Sequence, residues 1–289
     1  MIFAWIEERR GEYPIAALCR ALGVSRSGYY ARANRPRSPT AVRRDELVGR
    51  MRAVHAEVRG RYGSPRLAVE LKARGVACCV NTVAKAMKAH GLRAKTVKRF
   101  VRTTDSNHRH PVSENVLDRG FTAAGPNEKW AMDITYIPTL EGWLFLALVV
   151  DLFSRRIVGW AMAEAMTSRL VVDALDLAVG QRDVPAGLIA HSDRESPYAS
   201  AHYQAELRRH GMVWSMSGVG QCWDNAVVES TFGRLKQELV HGETYATRDA
   251  ARASIFEYVE VFYNRVRRHS TLGYVSPAEF ERTHDPNNR

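Results

Sequence analysis

The chain has 289 residues, of which 45% are hydrophobic, and a formal net charge of +11. This length provides for two or three hydrophobic cores. The longest apolar run, Trp143 to Val150, is far too short to cross a bilayer, and the N-terminus is charged from Glu7 onward. We therefore expect neither a membrane span nor a signal peptide.

The positive charge lies in the first two-fifths of the chain. Residues 1–120 hold 25 Lys and Arg against 10 Asp and Glu, a balance of +15, whereas residues 121–289 hold 17 against 21, a balance of −4. This split predicts a front region that binds DNA and a back region that collects carboxylates. A merely solvated basic surface is the alternative, but the basic region also carries two helix-turn-helix patterns.

The first helix-turn-helix pattern covers residues 14–35. Apolar residues at i, i+3, i+4 and i+7 predict a helix that ends at Gly23, and Ser25 can cap a second, polar helix. Candidate DNA contacts on this second helix are Arg26, Ser27 and Tyr29. Other small helical hairpins share this pattern. The stretch that follows, residues 34–44, is rich in Pro and Arg and predicts a linker.

The second pattern covers residues 62–95. Ser64 followed by Pro65 predicts the start of one helix, and Asn81 predicts the cap of the next. Candidate DNA contacts in this unit are Arg66, Asn81 and Lys85. A dense basic segment, residues 88–102, overlaps its end and indicates contact with phosphates.

Beyond residue 120 the pattern changes from helices to strands. Residues 129–138 alternate with a period of two, and residues 143–162 form two apolar runs around a polar turn, which predicts a hairpin. The elements expected after it are a helix at 168–180, a strand at 187–193, a helix at 200–212 and a long helix at about 224–240. This order of elements is typical of a ribonuclease H-like α/β domain, with helices on both faces of a mixed sheet.

Three acidic residues occupy unusual positions in these elements. Asp133 lies inside the first strand, where an ionised group is costly to bury unless it pairs or binds a cation. Asp193 lies just past the fourth strand, 60 positions after Asp133, and Glu229 lies another 36 positions on, beside the apolar stripe of the long helix. Glu229 alone would be interpreted as a solvated helix flank. The joint arrangement predicts that the three carboxylates converge.

Three converging carboxylates are suited to divalent metal chemistry. Mg²⁺ takes oxygen ligands, and two such ions can activate the attacking oxygen and stabilise the leaving one in phosphodiester chemistry. We therefore predict a site for two Mg²⁺ or Mn²⁺ ions. Asp151 at a strand end is the main rival carboxylate, Asp224 is expected to cap the long helix, and His191 either supports the site or makes a structural hydrogen bond.

Several segments resemble a known family. They are NEKWAMDITYI, VVDLFSRRIVGWAM, HSDRESPYAS, DNAVVESTFGRLKQEL, YNRVRRHSTLGYVSPAEF and the N-terminal IEERRGEYPIAALCRALGVSRSGYYA. Together they resemble the catalytic, second-frame (OrfB-type) transposase of bacterial insertion sequences of the insertion sequence three family. The resemblance covers essentially the whole chain. Those transposases share a DDE catalytic core with retroviral integrases.

The resemblance carries expectations about fold and site. It implies a ribonuclease H-like integrase core with a mixed five-stranded sheet and flanking helices, preceded by all-α helix-turn-helix units. It implies Asp133, Asp193 and Glu229 as catalytic and metal-binding residues. It also implies a basic residue seven positions after the glutamate, here Lys236, which lies on nearly the same helix face and can contact the DNA phosphate near the scissile bond.

Two features depart from the pattern. The family usually has glycine where this chain has Glu195, and a glutamate there adds a like charge beside the predicted site. Retroviral integrases also carry a His/Cys zinc module, whereas the histidines and the four cysteines here lack such spacing, so we expect no zinc. The cysteines are expected to be reduced thiols of a cytoplasmic protein. Trp130 and Trp143 are expected in the core rather than stacked on bases.

The predicted function is transposition. The resemblance implies cleavage at insertion-sequence ends and transfer of the 3′-OH to new phosphates. It implies double-stranded DNA as partner, both terminal inverted repeats and target, a homodimer or higher oligomer on DNA, and a first-frame helix-turn-helix protein or fusion. Location at the bacterial nucleoid follows from this. The alternatives are a catalytically inactive, transposase-derived DNA-binding regulator and a plain metal-dependent nuclease.

Four domains are predicted along the chain. A helix-turn-helix region with its linker covers residues 1–58, and the second helix-turn-helix with the basic segment covers 59–120. The catalytic core covers 121–241, and a C-terminal helical extension covers 242–289.

Overall fold

The structure, a computed structural model, describes residues 2–33, 38–95, 113–218 and 221–284. The chain forms two compact units, Met1–Val54 and His55–Arg289. Each unit is described by itself. The domain boundaries that we placed at residues 58, 120 and 241 remain predictions.

The first unit is helical. It contains α1 (Ile2–Arg9), α2 (Ile15–Ala21), α3 (Arg26–Ala33) and most of α4 (Pro39–Glu57). Its small core is built from Ile6, Leu18, Cys19 and Tyr29.

The turn between α2 and α3 follows the prediction. Gly23 ends α2 with a φ of 64°, and the Ser25 Oγ accepts a hydrogen bond from the Gly28 N–H at 3.0 Å. The prediction of a linker at residues 34–44 is partly wrong, because residues 39–44 belong to α4. This helix begins at Pro39, and proline is common in the first turn of a helix. Residues 34–37 of that linker lie outside the described residues.

The second unit begins with the other predicted helix pair, α5 (Ser64–Ala73) and α6 (Val80–Ala89). Pro65 lies in the first turn of α5 as expected, although Gly63 is the residue before the helix. Asn81 is not a cap, since α6 begins one residue earlier, after Cys79. The basic segment is described only up to Lys95, so its predicted phosphate contacts beyond that residue lie outside the described part.

A mixed five-stranded sheet forms the centre of the second unit, as predicted. Its strands are β1 (Lys129–Thr139), β2 (Gly142–Asp151), β3 (Ile157–Ala163), β4 (Ile189–Ser192) and β5 (Val213–Met216). The spatial order is β3-β2-β1-β4-β5. The β1–β2–β3 pairs are antiparallel, and β4 runs parallel to both β1 and β5. Strand periodicity did not reveal β5, which is only four residues long.

Helices cover the sheet on both faces. They are α7 (Ser168–Gln181), α8 (Ala201–Arg209), α9 (Ala226–Glu238), α10 (Arg248–Phe256), which continues as a π-helical segment (Glu257–Tyr263), and α11 (Pro277–His284). Short 3₁₀ turns lie at Cys222–Asn225, Val240–Gly242 and Ser270–Leu272. No helix in the described ranges is both long and apolar enough to cross a membrane.

The main core lies between one face of the sheet and α7 with α8. Trp130, Met132 and Ile134 of β1 contribute to it, so the odd-numbered residues of β1 point to the opposite face. Gly159 of β3 permits this packing, because a Cβ there would lie 2.2 Å from the Ala174 carbonyl oxygen of α7. Trp130 is buried as predicted, but the prediction for Trp143 is wrong: its ring is exposed and packs edge-on against Tyr136.

Candidate active site

Asp133 lies in the middle of β1, on the face opposite Met132 and Ile134. It pairs across to Leu148 of β2, and its Oδ1 accepts a hydrogen bond from the Ile134 N–H at 2.8 Å. The side chain is half-buried. At this position β1 is paired with β2 on one edge, and its pairing with β4 on the other edge ends one residue earlier, at Met132.

The parallel pairing of β4 with β1 brings Asp193 beside Asp133. In this register Met132 lies opposite Ser192, so the next residue on each strand is an aspartate. Two carboxylates that are 60 positions apart in sequence thereby become neighbours at one sheet position. The Glu195 N–H donates to the Asp193 Oδ1 at 3.0 Å and fixes the orientation of that carboxylate.

Glu229 comes from α9, and an amide that sequence reasoning missed sets the start of that helix. The buried Asn225 lies just before α9, and its Nδ2 donates to the Met132 carbonyl oxygen at 2.9 Å. Because Met132 precedes Asp133, this bond fixes α9 to the strand that carries the first carboxylate. Glu229 follows one helical turn later. The only sequence signal was the asparagine four residues before the glutamate.

The electrostatics show that these carboxylates lie together. The pKa of Asp133 is raised well above its ordinary value, first by burial, then by the charges of Asp193, Glu195 and Glu229. Burial and Asp193 raise the pKa of Glu195 to about 8. Four acidic side chains from β1, the exit of β4 and α9 therefore share one region.

The donor set of this region fits a divalent cation. It is made of carboxylate oxygens, which Mg²⁺ prefers. The Glu195 Oε2 is buried and has no hydrogen-bond partner within the described part of the chain. Such an orphaned oxygen, beside an Asp133 whose pKa is raised by its neighbours, indicates that positive charge would stabilise the site.

Lys236 lies near the same carboxylates. It is half-buried on α9, two turns after Glu229, and its Nζ is 4.7 Å from the centre of the Tyr136 ring. Burial lowers the pKa of Lys236, and the charge of Asp133 acts in the opposite direction. The predicted phosphate-contacting lysine thus lies within electrostatic reach of the strand carboxylate.

A second acidic group lies elsewhere, between α7 and α8. Among the described residues, Asp176, Glu206 and His210 form the one set of potential ligand atoms that all lie within 4.8 Å of one another, so the predicted triad is more widely spaced. Arg209 pairs with Glu206 at 2.7 Å and with Asp176 at 3.7 Å. Its guanidinium already offsets the negative charge of this group.

The rival acidic residues have structural partners. The buried Asp151 accepts hydrogen bonds from the backbone N–H groups of Asn127, Phe153 and Ser154, at 2.7 to 3.1 Å, and so shapes the β2–β3 turn. Asp224 does not cap α9, as we had expected. It accepts from the Gly218 N–H at 2.9 Å and from Arg119 and Asn115, and so closes the loop before the helix.

His191 makes structural hydrogen bonds. Its Nδ1 lies 2.9 Å from the Ser215 Oγ and its Nε2 lies 3.3 Å from the Ser217 Oγ. Burial lowers the pKa of His191 to about 4, which keeps the ring neutral near pH 7. The ring therefore joins β4 to β5 and contributes no charge to the carboxylates.

Some of the predicted DNA contacts are exposed to solvent, and others are buried or bonded to other residues of the protein. Arg26 and Ser27 are exposed on α3, and Asn81 and Lys85 are exposed on α6. Tyr29 is wrong as a DNA contact: it is 3% exposed, belongs to the core of the first unit and donates its hydroxyl to Glu7.

Arg66 is also engaged within the protein. Its Nη1 donates to the Glu238 Oε1 at 3.2 Å, and its side chain is 17% exposed. The same carboxylate forms a salt bridge with Arg267, which is fully buried. The guanidinium of Arg66 is therefore part of an internal ion-pair cluster.

A family model described as "Integrase core domain" matches residues 123–222, a second of the same description matches residues 229–284, and an "HTH-like domain" model matches residues 43–100. Transposase InsF of insertion sequence IS3A from Escherichia coli K12 is 46% identical over 284 residues, covering 97% of this chain and 98% of the relative.

The chain belongs to the IS3 family of transposases. A 31 kDa protein of insertion element IS600 from Shigella sonnei, described as uncharacterized, is 41% identical over 263 residues, covering 91% of this chain and 97% of that protein. A chain of the simian T-cell lymphotropic virus intasome superposes with a TM-score of 0.49 at 17% identity, covering 82% of the transposase and 75% of that chain.

These findings confirm the predicted family, fold and activity class. The transposase is an enzyme, a DDE polynucleotidyl transferase with an integrase core and an HTH-like region that indicates DNA binding. The alternative of an inactive DNA-binding regulator receives no support from these relatives.

Proposed function

We propose that Asp133, Asp193 and Glu229 are the catalytic residues of this transposase and that they hold two Mg²⁺ or Mn²⁺ ions. The observation that carries the proposal is the parallel register of β1 and β4, which places Asp193 beside Asp133, while Asn225 holds the start of α9 against β1. Burial and the charges of the other carboxylates raise the pKa of Asp133, as this placement requires. Such perturbed carboxylates in a cleft are typical of catalytic sites. When bound, the two ions would stabilise the charge that develops on the attacking and leaving oxygens of the phosphodiester.

The residues of the chain have distinct tasks in this proposal. The central strand β1 fixes the position of the Asp133 carboxylate, and the Glu195 N–H orients the carboxylate of Asp193. Asn225 holds the start of α9, and with it Glu229, against β1. Lys236 donates to a phosphate oxygen near the scissile bond. Water is the nucleophile in cleavage and a DNA 3′-hydroxyl is the nucleophile in strand transfer, so no covalent protein–DNA intermediate forms.

The partners follow from the same proposal. The substrate is double-stranded DNA, the terminal inverted repeats of the element and the target. Arg26, Ser27, Asn81 and Lys85 are exposed and remain proposed DNA contacts. A dimer or higher oligomer would join two element ends, with a first-frame helix-turn-helix protein as partner, at the bacterial nucleoid.

The test is a joining assay with a pre-cut element end and a target plasmid, in the presence of Mg²⁺. Asp133→Asn, Asp193→Asn and Glu229→Gln should each reduce cleavage and joining by more than about a hundredfold and leave DNA affinity unchanged. The matched control is Asp173→Asn, which removes an exposed carboxylate that pairs with Arg169 on α7.

Three outcomes separate the candidate activities. Joining that depends on all three carboxylates supports the proposal. Cleavage without joining would indicate a plain nuclease, and DNA binding without either reaction would indicate a regulator. Near-normal joining by any of the three variants would remove that residue from the site.

A further inference from the structure

A basic pocket of about 220 Å³ lies on a different face of α9 from Glu229. Four arginines line it: Arg66, Arg155, Arg234 and Arg267. None of the described residues that line it is acidic. The pocket therefore concentrates positive charge at a place that the carboxylate site does not use.

Only part of this charge is neutralised inside the protein. Glu238 binds Arg267 through both carboxylate oxygens at 2.8 to 3.1 Å and Arg66 at 3.2 Å, so two guanidiniums share one carboxylate. Within the described ranges, the exposed Arg234 makes no side-chain hydrogen bond or ion pair. Glu238 is therefore the carboxylate that pairs directly with the arginines of the pocket, and it binds two of the four.

Arg155 provides the second observation that points to a ligand. Its Nη2 donates to the Phe121 carbonyl oxygen at 3.2 Å, but its Nη1 is buried and has no hydrogen-bond partner in the described part of the chain. Asp151 is the carboxylate whose charge acts on Arg155, and it is already bonded to three backbone N–H groups. An unpaired buried guanidinium N–H is costly, and an acceptor oxygen from a ligand would satisfy it.

The rest of the lining suits an oxyanion. The hydroxyls of Ser230 and Thr271 are at the pocket, and so is the first turn of α9, whose helix dipole favours an anion. His269 is held neutral, because burial and the four arginines lower its pKa to about 3. The volume, about seven times the roughly 30 Å³ that a water molecule occupies in the liquid, is large enough for a phosphate group with bound water.

We propose that this pocket binds a phosphate group, held by the guanidiniums of Arg155 and Arg234, on the side of α9 away from the carboxylates. The planar donor fork of arginine matches the oxygens of phosphate. The phosphate belongs either to a DNA backbone or to the free anion, and both sources present the same tetrahedral oxygens.

The experiment uses the full chain in EDTA, so that the carboxylate site holds no metal and contributes nothing. The free-anion arm measures thermal unfolding in inorganic phosphate against chloride at equal ionic strength. The DNA arm measures the affinity of a duplex of about 20 base pairs over a range of salt concentrations. The variants are Arg234→Gln and, as a matched control, Arg265→Gln, an exposed arginine that does not line the pocket.

Two results support the proposal and distinguish the sources. If the anion is free phosphate, it raises the melting temperature of the wild type and of Arg265→Gln, and the rise is lost in Arg234→Gln. If it is a DNA phosphate, Arg234→Gln weakens duplex affinity and lowers its salt slope by about one, the loss of one phosphate contact, whereas Arg265→Gln does neither.

The proposal is overturned if phosphate has no effect beyond that of chloride and the two variants bind DNA alike. Equal losses in both variants would show a general basic surface instead of a site. Arg234 is exposed, so its replacement does not endanger folding, and Arg155→Gln serves as a second variant whose fold is checked by circular dichroism.

Discussion

Glu195 occupies the position where the family pattern has glycine. The turn after β4 does not require glycine, because Glu195 does not adopt a positive φ. Its backbone N–H holds Asp193, which any residue except proline could do. What the glutamate adds is a fourth carboxyl group, whose pKa is raised to about 8 by burial and by Asp193. With that pKa the Glu195 carboxyl is largely protonated and neutral at pH 7, and it adds a negative charge near the approaching DNA phosphates only as the pH rises above about 8.

We expect Glu195→Gly to raise the strand-joining rate at limiting Mg²⁺. The effect should be largest above about pH 8, where Glu195 is ionised, because there the substitution removes a negative charge that raises the pKa of Asp133. The measurement is the joining rate as a function of Mg²⁺ concentration, with Glu195→Gln as the variant that keeps the size of the side chain. A lower rate in both variants would mean that Glu195 is itself a working ligand.

At the scale of elements, α9 is the piece on which the site depends. Its start is tied to β1 by Asn225, and its last turn is tied to the C-terminal segment by the buried pair of Glu238 and Arg267. The helix is thereby fixed at both ends, and it carries Glu229 in its first turn and Lys236 in its last turn. A shift of this helix would move two functional side chains at once.

Replacing Asn225 with alanine should reduce the cleavage rate by about tenfold to a hundredfold, because small displacements of catalytic groups have effects of that size. Duplex affinity should stay unchanged. Gln237→Ala is the matched control, since Gln237 also donates its amide to a backbone carbonyl, that of Lys95, at the other end of α9. A control that loses as much activity as Asn225→Ala would argue for a general loss of stability.

Most element positions could be predicted from the sequence, because strand alternation and helical spacing are local signals. Asp133, Asp193 and Glu229 stood out by their places in a strand, after a strand and on a helix flank, and by the family resemblance, and their catalytic role stays a prediction. Side-chain environments could not. Tyr29 and Trp143 are both large aromatic residues, yet the first is buried and the second exposed, since this depends on which neighbour packs against each. The link from Asn225 to Met132 joins residues 93 positions apart, and no spacing rule foretells it.

At the scale of the whole molecule, buried ion pairs connect segments that are distant in the chain. Glu281 of α11 accepts hydrogen bonds from Ser154 and Arg156 at 2.7 Å and from Arg182 at 2.5 Å. Burial alone would raise the pKa of Glu281, but these donors outweigh it and the pKa lies below the ordinary 4.5. The ionised form is therefore stabilised by folding.

The sign of the pH dependence follows from that direction. Because the pKa of Glu281 is lower in the folded than in the unfolded chain, the ionised carboxylate stabilises the fold above pH 4.5. This stabilisation is lost as the pH falls through the folded-state pKa. We expect Glu281→Gln to lower the free energy of unfolding by about 1–3 kcal/mol at pH 7, and the difference to shrink as the pH falls below 4.5 and through the lowered pKa of Glu281. Urea unfolding at several pH values measures this. The control is Glu279→Gln, exposed on the same helix, and an equal loss there would contradict the assignment.

The parallel pairing of β1 with β4 also governs when the enzyme becomes active during its synthesis. The β1–β2 hairpin can form as soon as it leaves the ribosome, because its loop is short. The strand that brings Asp193 arrives some 60 residues later, and α9 later still. Closing such long loops is slow, and it cannot begin before the distant partner exists. A nascent or prematurely terminated chain that lacks α9 would therefore contain the basic, HTH-like region but not Glu229, the third proposed catalytic carboxylate.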